Sequence, residues 1–167
     1  MPPSPLRGVN GMQFDVQGHL IAGSMVSGQI LSIDRYTGAV RQIVGPPRGI
    51  ADDLASGPDG TIVWSTMPLG IVHARRPDGR VEELTRNLPY ANGLYFGPGG
   101  LAQLPGGRLV VAEVGRKRVV AFDPATLPDQ APLEVFADGL PIGLPPFMGP
   151  PNVFTPTGVV ADAQGRL

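Results

Sequence analysis

The 167-residue chain has no cysteine, which excludes disulfides, thiolate metal sites and a cysteine nucleophile. Aromatic residues are sparse at 6%, and the single tryptophan is Trp64. Charge is thin and balanced, 13 Lys and Arg against 14 Asp and Glu, and it gathers on no basic face. A nucleic-acid partner is therefore not expected. No apolar run approaches the roughly 20 residues of a membrane span. The opening Met1-Pro-Pro-Ser-Pro-Leu-Arg7 lacks the apolar core of a signal peptide. These two absences predict no membrane partner and a cytoplasmic location. No window keeps apolar residues at helical spacing over a useful length. Nucleophile-elbow, Walker and dinucleotide-binding glycine motifs are missing too.

What the chain has in quantity is glycine (24) and proline (20), more than a quarter of its residues. In an aperiodic chain that share would suggest disorder. Here both residues fall at recurring turn positions, because one phrase occurs four times. It reads Asn10-Gly-Met-Gln-Phe-Asp-Val-Gln-Gly18, then Asp52-Asp-Leu-Ala-Ser-Gly-Pro-Asp-Gly60, then Asn92-Gly-Leu-Tyr-Phe-Gly-Pro98, then Thr157-Gly-Val-Val-Ala-Asp-Ala-Gln-Gly165. Gly18 and Gly60 stand 42 residues apart, as do Gly28 and Gly70; Leu20 and Leu109, and Ile30 and Val119, stand 89 apart. The third unit carries an insertion at 99–107. That segment lacks the Lys and Ser/Thr of a phosphate cradle and reads as a hairpin extension.

Between the turns lie short β-rich runs such as Ile62-Val-Trp64, Leu109-Val-Val-Ala112 and Arg118-Val-Val-Ala-Phe122. Four strands per unit at a period near 40 residues predict an all-β β-propeller. The expected chain is an open arc of about three four-stranded antiparallel blades plus the start of a fourth. The units run approximately over 8–48, 49–88, 89–140 and an incomplete 153–167. Closed propellers have typically 4–8 blades. A longer parent protein, or self-association, is therefore expected to cover the open edges.

In such a fold the residues that open each blade converge on the axis. Asn10, Asp52, Asn92 and Thr157 would then meet although they are far apart in sequence. Their oxygens suit a hard cation such as calcium, which takes 6–8 oxygen ligands. Without sulfur or imidazole the set does not suit zinc or copper. The alternative is that Asn-Gly and Asp-Asp only shape blade-opening turns.

Ala51-Asp-Asp-Leu-Ala55, Pro58-Asp-Gly60, Arg76-Pro-Asp-Gly79, Ala91-Asn-Gly-Leu94 and Pro156-Thr-Gly-Val-Val-Ala-Asp-Ala-Gln-Gly165 carry a more specific likeness. In this order and spacing they make nearly the whole chain resemble the regucalcin–gluconolactonase family of six-bladed propellers. The resemblance implies a divalent cation, usually calcium, on the axis. Its ligands are an early Glu, an Asn or Asp, an Asn, and an Asp that also serves in catalysis. Asp52 matches the second of these and Asn92 the third, while Thr157 stands where the final Asp is expected. No Glu precedes Asp52. The chain thus resembles the family's second to fourth blades and the start of the fifth. Asn10 and Asp53 become cavity-lining groups. The metal set is Asp52, Asn92 and Thr157, and Asp52 is the available carboxylate for catalysis.

Other residues are read as structural. Asp15, Asp59 and Asp162 recur where Asp caps turns, and Arg116-Lys-Arg118 reads as a solvated hairpin tip. His19 and His73 read as surface or packed histidines with no carboxylate at a useful spacing. Trp64 reads as core. The proline-stiffened segment 139–156 leads to Thr157, and Phe147, Met148 and Phe154 could wall a pocket over the axis. The leading functional expectation is a calcium-dependent hydrolase of a small-molecule lactone or ester. The alternatives are a non-catalytic propeller that binds a ligand or protein, and a streptogramin-lyase-like enzyme, which would want an axial His/Glu set.

Overall fold

The computed structural model describes residues 8–45, 51–66, 69–86, 88, 91–96, 108–113, 116, 118–125 and 133–140, with only the backbone described for 92–96. Among these residues, twelve strands fall into three sheets. The first contains β1 (Val9–Phe14), β2 (Leu20–Ser24), β3 (Ile30–Ile33) and β4 (Val40–Val44). The second contains β5 (Ala51–Ser56), β6 (Ile62–Thr66), β7 (Ile71–Arg75) and β8 (Val81–Thr85). The third contains β9 (Ala91–Phe96), β10 (Leu109–Glu113), β11 (Arg118–Phe122) and β12 (Glu134–Ala137). Each sheet is an antiparallel meander in chain order. The architecture is the expected all-β stack of four-stranded propeller blades. The repeat unit that opens at Thr157 lies outside the described residues.

Turn chemistry sets the hairpins. Asp15 Oδ1 accepts the backbone N–H groups of Gln17 (2.9 Å) and His19 (2.8 Å). Asp59 Oδ1 accepts Thr61 N–H at 2.9 Å and Asp78 Oδ1 accepts Arg80 N–H at 2.9 Å. In each case the carboxylate closes a local turn that the chain would otherwise leave unsatisfied. Gly18, Gly60 and Gly79 follow at φ of 81°, 87° and 91°, where a Cβ would be strained.

The blades meet along their first strands: β1 packs on β5, and β5 on β9. Two apolar cores fill the seams. Ile21, Ile30 and Val44 of the first blade pack with Leu54, Ile62 and Trp64 of the second. Val63, Val72 and Leu84 of the second blade pack with Leu109, Val111 and Phe122 of the third. Successive strand residues point to opposite faces, so neighbours Val63 and Trp64 on β6 enter different cores. Burying each such side chain contributes about 1.5–3 kcal/mol. Trp64 stacks on His73 of β7, with ring centroids 5.3 Å apart. Burial holds the His73 imidazole below its ordinary pKa, and nearby Glu83 opposes that shift. Both residues are structural, but His73 does face a carboxylate, as does His19, whose Nδ1 lies 3.4 Å from Asp15 Oδ2. That corrects the expectation of histidines without carboxylate neighbours.

Candidate functional site at the heads of the inner strands

The three first strands share one irregularity. Residues 9 to 12 of β1 oppose 24 to 22 of β2, so Asn10 and Gly11 together face one partner, Gly23. In β5 the pair Asp52 and Asp53 likewise faces Ser65, since Ala51 pairs with Thr66 and Leu54 with Trp64. In β9, Ala91 pairs with Glu113 and Asn92 with Ala112, but Leu94 with Val111, which leaves Gly93 as the extra residue. Each blade thus opens with a β-bulge at its second and third residues. Such bulges re-aim side chains and are over-represented beside active sites. The repeated phrase identified these positions, although alternation of residue types does not reveal a bulge.

Asn10 and Asp52 meet across the first seam. Asn10 Nδ2 donates to Asp52 Oδ1, joining the heads of β1 and β5. The carboxylate is 2% exposed, and its second oxygen, Oδ2, is buried without a partner. Desolvation pushes the Asp52 pKa above its ordinary value, against the opposing effect of the Asn10 hydrogen bond. Behind it, Asp53 N–H donates to Ser65 Oγ at 3.2 Å. Lower on the same strands, Ser56 N–H donates to Gln13 Oε1 at 2.8 Å and so ties β5 to β1 again. The close approach requires Gly11. A Cβ there would lie 2.7 Å from Leu54 N, 2.8 Å from Asp53 Cα and 2.9 Å from Asp52 O.

The backbone of β9 places Asn92 at the bulge equivalent to that of Asp52, one blade on. Its side chain lies outside what is described, as do residues Phe147, Met148, Phe154 and Thr157. Asp53 is half-buried beside Asp52. Among the described residues no three His, Asp or Glu side chains gather as a metal-binding group. The described oxygen donors are Asp52, whose free Oδ2 suits a hard cation, and the amide oxygen of Asn10.

A second set of site residues was legible only with the repeat offsets in hand. Ser24, Thr66 and Glu113 stand 42 and 89 residues apart, and each pairs with the first residue of its blade. All three are fully buried, and Thr66 Oγ1 has no partner. Glu113 is held by Arg116 Nη1 at 2.7 Å and by Arg118 Nε at 2.5 Å. These arginines therefore neutralise a buried carboxylate beside the head of β9, and are not merely a solvated tip. Removing one partner of such a buried pair leaves an uncompensated charge.

Neither histidine of the chain lies on an inner strand. His19 sits at the opposite end, after the β1–β2 turn, and His73 is sealed on β7. The axial His/Glu set that a streptogramin-lyase-like site would want is therefore not formed by the described residues.

No protein-family model matches the sequence, and no curated protein does. Solved structures do match, β-propellers among them, at low identity. The gluconolactonase of Xanthomonas campestris is 24% identical with a TM-score of 0.64, over 82% of this chain and 50% of that one. A propeller in a nidogen–laminin complex is 19% identical with a TM-score of 0.68, over 84% of this chain and 52% of that one. The virginiamycin B lyase of Staphylococcus aureus is 16% identical with a TM-score of 0.61, over 79% of this chain and 42% of that one. The chain carries the fold of gluconolactonase-like and lyase-like propellers, and it spans about half the length of the chains it matches.

Proposed function

We propose that this chain forms part of the axial face of a divalent-cation-dependent hydrolase of lactones or related esters, with calcium as the cation. The observation that carries the reading is Asp52: a buried carboxylate at the head of an inner strand, pinned by Asn10 of the preceding blade, with one oxygen free. The Asn10 amide fixes Oδ1 and so leaves Oδ2 as the oxygen available to a cation or a proton. Ser65 anchors the bulge that aims it. Asn92 and Thr157 complete the ligand set of this proposal, with Asn10 and Asp53 lining the cavity and Phe147, Met148 and Phe154 roofing it. A bound calcium would polarise the scissile carbonyl. The Asp52 carboxylate, raised in pKa by burial, is suited to accept a proton nearer neutral pH than an exposed aspartate would.

Calcium titration of the chain by calorimetry should show weak binding that weakens further in acid, as Asp52 protonates, and disappears in Asp52→Ala. Lactone hydrolysis should be slow, because Thr157 offers a hydroxyl where a carboxylate would serve, and it should stop with a chelator. Hydrolysis that persists with chelator and in Asp52→Ala would place the chemistry elsewhere.

A second reading, a propeller that works by association, is favoured by the outer face of the first blade. Met12 is 59% exposed, whereas Leu54, at the same repeat position 42 residues on, is 4% exposed in the first seam. Phe14 and Val40 are exposed as well. The Met12 position, which buries a core residue in the second blade, is left open in the first beside exposed Phe14 and Val40, a surface fit for a further blade or a second copy. Sedimentation velocity should then show concentration-dependent self-association that Met12→Asp/Phe14→Asp removes; a monomer at all concentrations would dismiss self-association.

A further inference from the structure

At the far end of the same seam, past the end of β5, which lies roughly 13 Å from Asp52 by strand rise, a groove of about 260 Å³ opens between the first two blades. Arg41 lines it from β4 and Arg75 from β7; Ser32 lies between Ile21 and Arg41 in the first sheet, and Ile62 beside Arg75 in the second. We propose that this groove is a binding site for a small oxyanion, the carboxylate or phosphate group of a ligand, held by the guanidinium groups of Arg41 and Arg75. The inference is independent of the hydrolase reading.

The unmet donors carry it. Neither arginine forms an ion pair among the described residues, although seven other basic side chains, His19 among them, do. Arg75 Nε is sealed from water without any partner, and its Nη1 reaches only the Arg76 carbonyl at 3.5 Å. A buried charged donor left unmet is costly, and it calls for a group that completes it. The groove also holds two carboxylates, but these are turned to their own turns. Asp15 accepts Gln17 and His19 N–H, and Asp59 accepts Thr61 N–H and, at 2.8 Å, Thr61 Oγ–H.

The next seam shows what a satisfied version looks like. There Arg76, one residue on, pairs with Glu82 at 2.5 Å and donates across to the Pro124 carbonyl of the third blade at 2.6 Å. That seam is laced shut by its own residues. In the first seam neither arginine pairs with an acid among the described residues, and the groove's two carboxylates, Asp15 and Asp59, are taken up by their own turns. This arrangement matches the bidentate recognition of carboxylate and phosphate by arginine.

Inorganic phosphate titrated at constant ionic strength, with chloride as balance, should produce saturable shifts of the Arg75 side-chain NMR resonance. Arg41→Gln, an exposed position that folding does not depend on, should weaken phosphate binding at least about tenfold. Arg75→Gln should do the same, and Arg86→Gln, at the other end of the second blade, should not. Displacement of phosphate by acetate would extend the site to carboxylate ligands, whereas phosphate binding that acetate does not disturb would confine it to phosphate esters. A response that never saturates, or an equal loss in Arg86→Gln, would overturn the assignment.

Discussion

Replacing Gly11 with alanine is expected to destabilise the protein by about 3 kcal/mol, the upper end of ordinary overpacking costs. The three atoms that the new methyl would meet are all backbone of β5, at 2.7–2.9 Å, and none can rotate away as a side chain could. The blades must part at their heads, and the Asn10–Asp52 hydrogen bond is lost with the contact. Gly23 provides the control. It lies opposite the same bulge, but its added Cβ meets Leu54 Cδ2 at 3.5 Å and Ala51 Cβ at 3.6 Å, which is ordinary contact. Gly23→Ala should be neutral or slightly stabilising, through the smaller entropy of the unfolded chain. Chemical denaturation of the two variants checks the pair; equal stabilities would mean that the blade heads are further apart than described.

Asp52→Asn is expected to act in the opposite direction, raising stability at neutral pH by about 1–3 kcal/mol, the scale of an unmet buried polar group. For a chain of this size that corresponds to roughly 2–4 °C in Tm per kcal/mol. Asparagine keeps a carbonyl oxygen for Asn10 and removes the charge that burial disfavours. The pH dependence follows from the raised pKa of Asp52. Its folded form holds the proton more tightly than the unfolded chain, whose ordinary value is 3.8. Wild-type stability is therefore favoured below that value and falls as pH rises through the folded pKa. The advantage of Asn should appear in neutral solution and shrink toward strong acid. Thermal melts between pH 4 and 8 measure it, and an advantage independent of pH would show that Asp52 is not titrating in a buried site. If the cation-dependent reading holds, the same substitution removes calcium binding while it raises stability.

The fold was legible because turn residues recur at fixed offsets. Gly18 with Gly60, and Ile30 with Val119, fix the register of successive blades before any contact is known. The heads of the inner strands were legible for the same reason: Asn10, Asp52 and Asn92 open equivalent strands. The hydrogen bond between Asn10 and Asp52 was not, because it depends on a bulge that offsets the two-residue alternation by one. Glu113 was missed for a different cause. Its repeat partners are the uncharged Ser24 and Thr66, so the repeat pattern does not predict a buried carboxylate there, and the arginines that enclose it, Arg116 and Arg118, follow on the next turn and strand. The anion groove was illegible from sequence, since Arg41 and Arg75 belong to no repeated phrase and meet only through the seam between two blades.

The alternation of Val63 and Trp64 on β6 has a consequence for how the molecule unfolds. In a linear array, stability is approximately a sum of unit terms and nearest-neighbour couplings. Here both couplings pass through the second blade, whose strands β5 and β6 each contribute side chains to both cores. Loosening that blade removes both couplings at once, so the first and third blades cannot protect one another from its loss. Either outer blade, by contrast, can open while the remaining seam persists. Cooperativity in this chain therefore resides in its middle, and local opening belongs to its flanks.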